Sequence, residues 1–143
     1  MKTSPSTLIA TLLAVLTSCL FVGCGQPEAK VDVSAQIAGL KSNNKDARIN
    51  ACVELAKAGP KAAPAVPDLI PLLKDSDAET RRLAAYTIME IGEAAKAAIP
   101  AVKAMFNDSD FTVAQQALNT LRAIDPTAKD LKSIPNIQTG VKP

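Results

Sequence analysis

Histidine and tryptophan are absent from the 143 residues, and the groups left that could carry chemistry are three cysteines, a recurring set of acids and two of the four arginines, which recur with them. Without imidazole, His-based general acid–base catalysis and His-containing metal sites are excluded. Asp75 and Asp77 recur as Asp108 and Asp110, 33 residues on. Paired acids at that separation suit helix starts, where they cap amides and complement the macrodipole, and they lack the ligand spacing of a calcium loop. Arg48 and Arg81 are also 33 apart, each four residues after Asn44 or Asp77. They read either as a ladder of structural hydrogen bonds between neighbouring units or as a clamp on a substrate. Cys52 shares its column with Ala85 and Leu118, which marks it as a small core residue, whereas Cys19 and Cys24 fall in an apolar leader. The expectation is no catalytic residue, no cofactor and no metal.

What must position these groups is a repeat. Segments beginning at Lys41, Lys74 and Asn107 are each offset by 33 residues. A self-similarity of that length marks units that bury their apolar faces only by stacking on one another. The clearest columns are Ala51/Ala84/Ala117, Cys52/Ala85/Leu118, Leu55/Ile88/Leu121 and Ala58/Ile91/Ile124, at i, i+1, i+4 and i+7, which is one stripe of an α-helix. This helix A is predicted to begin near residues 44, 77 and 110. Asn43, Ser76 and Ser109 signal the start, the first two as capping boxes with Asp46 and Glu79. Gly59 and Gly92 stop it, with Asp125-Pro126 replacing them in the third unit.

A second apolar run follows a short connection, through Val66, Leu69, Ile70 and Leu73, then Ile99, Val102 and Phe106. Pro67 and Pro100 sit just inside this helix B, and Pro71 is expected to kink or shorten it. The same offset taken backwards makes residues 33–40 a lone helix B. The third unit differs at Asn119 and Ala114, as a terminal cap would, and has a short helix B at Leu131 to Ile134.

The expected architecture is all-α: a short right-handed α-solenoid of about 2.5 to 3 repeats. The units resemble HEAT-like repeats of the short bacterial kind also seen in phycobilisome lyase-type proteins. The resemblance rests on D-x-E-x-R-x-x-A at Asp77 to Ala84, A-x-P-A-V at Ala98 to Val102 and L-L-K-D at Leu72 to Asp75. It implies a concave surface lined by helix B and a role as a binding surface rather than a particular chemistry. On that face Lys61, Asp68, Lys96 and Lys103 are the candidate partner-binding residues.

The first residues carry Lys2, then an apolar core from Thr7 to Val22, then Cys24. Sixteen residues fall short of the ~20 a spanning helix needs, so the segment reads as a cleavable signal. Gly23-Cys24 followed by a polar stretch resembles a bacterial lipobox, which implies lipid attachment at Cys24. Leu16-Thr17-Ser18 makes Cys19 the alternative, although it would leave an apolar mature terminus. The expected organisation is a signal peptide at 1–23, a flexible tether at 24–32, the repeat domain at 33–134 and a disordered tail at 135–143.

Sixteen Lys and Arg against 14 Asp and Glu, interspersed along the chain, give no basic face for nucleic acid. The function that fits is a non-enzymatic interaction or scaffold module, lipid-anchored on the extracytoplasmic side of a bacterial envelope, with an unidentified protein partner. Two alternatives stand beside it. One is an enzyme or enzyme subunit related to the phycobilisome lyases. The other is a structural lipoprotein that self-associates weakly through its solenoid ends.

Overall fold

The chain divides into two units, residues 1–30 and 31–143. The computed structural model describes residues 31–127, so the signal, most of the tether, the Leu131 to Ile134 helix and the tail lie outside the described residues.

Six α-helices follow in order: α1 (Val33–Leu40), α2 (Lys45–Ala58), α3 (Val66–Leu72), α4 (Ala78–Ile91), α5 (Ile99–Ala104) and α6 (Phe111–Ile124). The A helices α2, α4 and α6 pack side by side in one layer, and the B helices α1, α3 and α5 each pack on an A helix. Between the layers Leu55, Leu69, Leu73, Ile88, Leu121 and Ile124 are fully buried. Each such side chain contributes roughly 1.5–3 kcal/mol of burial. The small columns do the complementary work. Ala51, Ala84 and Ala117 are buried as well, and Gly39 of α1 approaches Ala51 so closely that a Cβ there would lie 3.0 Å from the Ala51 Cβ. The all-α repeat architecture and the lone helix B at 33–40 are therefore as the periodicity predicts.

Three local expectations need correction. The caps sit one residue later than Asn43, Ser76 and Ser109. Asn44 accepts from the amides of Asp46 and Ala47, Asp77 from that of Thr80, and Asp110 from those of Thr112 and Val113. With this register Asp46 and Glu79 fall at the second helical position, too early for a capping box, and act instead on the positive end of the helix dipole.

Pro71 does not shorten its helix. α3 runs through it to Leu72, a seven-residue helix against six for α5, whose one proline, Pro100, sits in the first turn. Pro71 and Pro67 are both exposed, so the carbonyl deprived of its partner is near water.

The connection from A to B is seven residues of 3₁₀ turns, Gly59–Ala65 in one unit and Gly92–Ala98 in the next, where Ala95 (φ −95°, ψ 18°) leaves helical backbone and kinks the segment. Its buried residues are Ala62, Ala65, Ala95 and Ala98. Their i, i+3 spacing is that of three residues per turn, which puts Ala62 and Ala65 on one edge of the first segment. Alanine keeps that edge thin enough to lie on the layer beneath. The glycines that open these segments have φ +56° and ψ −133° at Gly59, and φ +72° and ψ −144° at Gly92. This is outside the left-handed helical well that Asn tolerates and close to a region open essentially to glycine alone.

Candidate functional site

The loops that precede the A helices hold the recurring acids Asp75, Asp77, Asp108 and Asp110, and the repeat wires them to arginines of the A helices. Arg81 reaches across to the next unit, where its Nε donates to Asp108 Oδ2 at 2.7 Å and its Nη2 to Asp108 Oδ1 at 2.8 Å. Its Nη1 turns back to the carbonyls of Asp75 and Ser76 at 2.8 and 3.1 Å. Arg48 repeats the pattern one unit earlier, donating to the carbonyls of Ser42 and Asn43 and facing Asp75. That rung is looser. Nε lies 3.0 Å from Asp75 Oδ2, but its N–H is misdirected and makes a charge contact without a hydrogen bond, and Nη2 stands 3.4 Å from Oδ1. In both rungs the acid also accepts from the cap residue of its own turn, Asp77 N to Asp75 at 2.9 Å and Asp110 N to Asp108 at 2.9 Å. Of the two sequence-based readings of these arginines, the structure forms the ladder.

A second ladder runs through the interior and was not anticipated from the sequence. Thr87 Oγ1 donates to the carbonyls of Cys52 and Leu83, each at 2.9 Å, and Thr120 Oγ1 does the same to Ala85 and Gln116. Both threonines are fully buried. The available signal was the column Glu54/Thr87/Thr120, which is polar inside an apolar helix pattern and carries an acid only in the unit with no A helix ahead of it among the described residues.

Electrostatics follow the wiring. The Lys45 ammonium, 2.8 Å from Asp77, together with the capping amide holds the Asp77 carboxyl down at about 2. Burial works to raise Asp108, but the hydrogen bonds from Arg81 and from the Asp110 amide outweigh it and leave the carboxyl below its ordinary value. Burial pushes the Cys52 thiol up to about 11, which suits a core residue and not a nucleophile. Among the described residues no cluster of acids or cysteines is placed to hold a metal ion.

The four candidate partner-binding residues do not all lie on helix B. Asp68 on α3 and Lys103 on α5 do, while Lys61 and Lys96 belong to the 3₁₀ segments that precede it. Asp68 is half-buried and paired with Lys41 at 3.1 Å, and exposed Lys96 is paired with Glu93 at 2.9 Å. Lys61 and Lys103 are exposed. On the loop side, a cavity of about 440 Å³ lies between Leu73, Ala101, Ala104 and Met105, with Arg81, Asp75, Asp108 and Lys74 around it. Arg81 is already committed to Asp108 and two carbonyls, so Lys74 is the cation this cavity offers to anything outside.

A stack of paired helices at a 33-residue period, stitched by recurring rungs, matches one known architecture. A family model described as HEAT repeats covers residues 33–131 of the 143. The chain is a HEAT-repeat protein. No curated protein matches it. HEAT repeats suggest a helical module for protein interaction or scaffolding. No described helix is long and apolar enough to cross a membrane.

Proposed function

We propose that this chain is a lipid-tethered, non-enzymatic HEAT module that holds another protein against a bacterial membrane from its extracytoplasmic side. The observation that carries this reading is the employment of the loop charges. Arg48, Arg81, Asp75, Asp77, Asp108 and Asp110, the residues best suited to chemistry by type, spend their hydrogen bonds on each other, on capped amides and on loop carbonyls. Such wiring favours a stiff platform, and exposed Lys61, Lys96 and Lys103 are left to meet a partner. Few aromatic anchors are available, so the contact is modest in affinity.

In-cell photocrosslinking from position 103, with exposed Gln115 of α6 as control, tests the partner. A distinct protein captured only from position 103 supports the B-face adaptor, and identical capture from both positions removes it. The tether is tested separately. Cys24→Ala should abolish metabolic lipid labelling and release the chain from the membrane fraction, whereas labelling that survives Cys24→Ala and is lost in Cys19→Ala moves the attachment to Cys19. Acquisition of visible absorbance when the purified chain is offered a bilin would favour the lyase-related alternative.

A further inference from the structure

Among the described residues three large apolar side chains are exposed: Val53 at 36 %, Tyr86 at 38 % and Phe111 at 44 %. Val53 and Tyr86 are 33 residues apart, so they occupy the same position on adjacent helices α2 and α4. With half-buried Leu83 they line an open groove of about 420 Å³, whose remaining walls are Ala56, Lys57 and Glu90. The third unit carries exposed Asn119 in this column, so the apolar strip ends at α4. Lys57 and Glu90 are again 33 apart, and here the two units differ in sign.

The helices bearing this groove run parallel. Lys45 at the start of α2 meets Asp77 at the start of α4, and Lys57 and Glu90 flank the groove toward the other ends of the two helices. We propose that two copies of this chain pair face to face through α2 and α4, about a two-fold axis parallel to these helices and lying between them. That rotation keeps every residue at its own height and exchanges α2 for α4. Lys57 of each copy then opposes Glu90 of the other, and Val53 of each opposes Tyr86 of the other. The groove is self-complementary in this sense, with an apolar centre and two ion pairs at one end. A two-fold axis across the helices would lay α2 on α2 in antiparallel fashion and bring Lys57 opposite the first half of that helix, away from Glu90. Within the chain Lys57 holds an exposed contact with Glu54 at 2.6 Å, and half-buried Glu90 raises the pKa of the Tyr86 hydroxyl beside it. Exposed pairs contribute little, so redirecting them across the interface costs little. The patch is small, and the pairing is accordingly weak and dynamic. It leaves the B face open.

The test is a charge swap followed by sedimentation of the full-length chain in a non-ionic detergent, over a range of concentrations. Lys57→Glu gives a chain with two acids at the groove, and Glu90→Lys gives one with two bases. Each alone should dimerise roughly tenfold more weakly than the parent chain, while an equimolar mixture should recover association, because the two variants are complementary. Circular dichroism establishes that each variant is folded. A parent chain that stays monomeric at every concentration overturns the proposal. So do variants that dimerise as the parent does, or a mixture of folded variants that fails to associate.

Discussion

Arg81 grips Asp108 with two hydrogen bonds of 2.7 and 2.8 Å, whereas Arg48, in the equivalent column, meets Asp75 with one misaligned contact at 3.0 Å and a second at 3.4 Å. The partners are similarly shielded, at 13 % and 11 % exposed in the first rung and 15 % and 10 % in the second. Geometry therefore separates them. Arg81→Ala is expected to lower stability by about 2–3 kcal/mol and Arg48→Ala by about 1 kcal/mol less, since a bidentate charged pair is the stronger one and its loss strands a shielded carboxylate. Urea unfolding of both variants is the check, and equal losses would contradict the assignment.

The buried threonines make a sharper comparison. Thr87→Val keeps the shape and removes one hydroxyl from carbonyls already inside helices, at a cost of about 1 kcal/mol. Thr87→Glu imports the residue that the first unit carries at this position and buries an unpaired carboxylate, at about 3 kcal/mol or more. If thermal melting placed the two variants together, the hydroxyl ladder would not be the interior contact described.

Acid should loosen the array in a defined window. Asp77 is held at about 2 and Asp108 below its ordinary value, so both bind protons more readily when unfolded, where a carboxyl titrates near ~4. Their contribution is fully present above that pH and is lost as the pH falls from about 4 through the native values. Melting temperature measured from pH 7 down to pH 2.5 should decline across this range, and Asp108→Asn should lower it at neutral pH while flattening the decline. A melting temperature constant down to pH 3 would sink the argument.

Gly92→Ala and Gly92→Asn are expected to be about equally harmful, near 2 kcal/mol or more. At φ +72° and ψ −144° the backbone lies outside the well in which Asn replaces glycine at ordinary helix ends. Rescue by Asn in a denaturation series would show that the segment relaxes to a standard left-handed cap.

Much of this was legible because the apolar columns repeat. Leu55/Ile88/Leu121 fixed helix A three times over, and the same offset placed α1 at Val33–Leu40 without any strong local signal. Arg48 and Arg81 were legible as rungs because a column of identical charges needs a column of acceptors. The cap register was less so, since Asn43 and Asn44, or Ser76 and Asp77, are adjacent residues of equal capping ability, and the choice is made by Ser42, Asp75 and Asp108 bracing the second of each pair. The 3₁₀ connections hid behind alanine, which favours the α-helix and reveals a three-residue period only once its buried members are known.

The middle unit differs from its neighbours in carrying both halves of every rung: Asp75 to receive and Arg81 to give, the Ala85 carbonyl to receive and Thr87 to give. The first unit has Ser42 and Glu54 where it would receive or extend a rung backwards, and the third has Ala114 where it would give one onward. Residues 74–106 are thus a tile that fits its own copy. Tandem duplication of that stretch would lengthen the array with every rung satisfied, so the number of units in such a chain is set by its two ends, and its interior is free to grow.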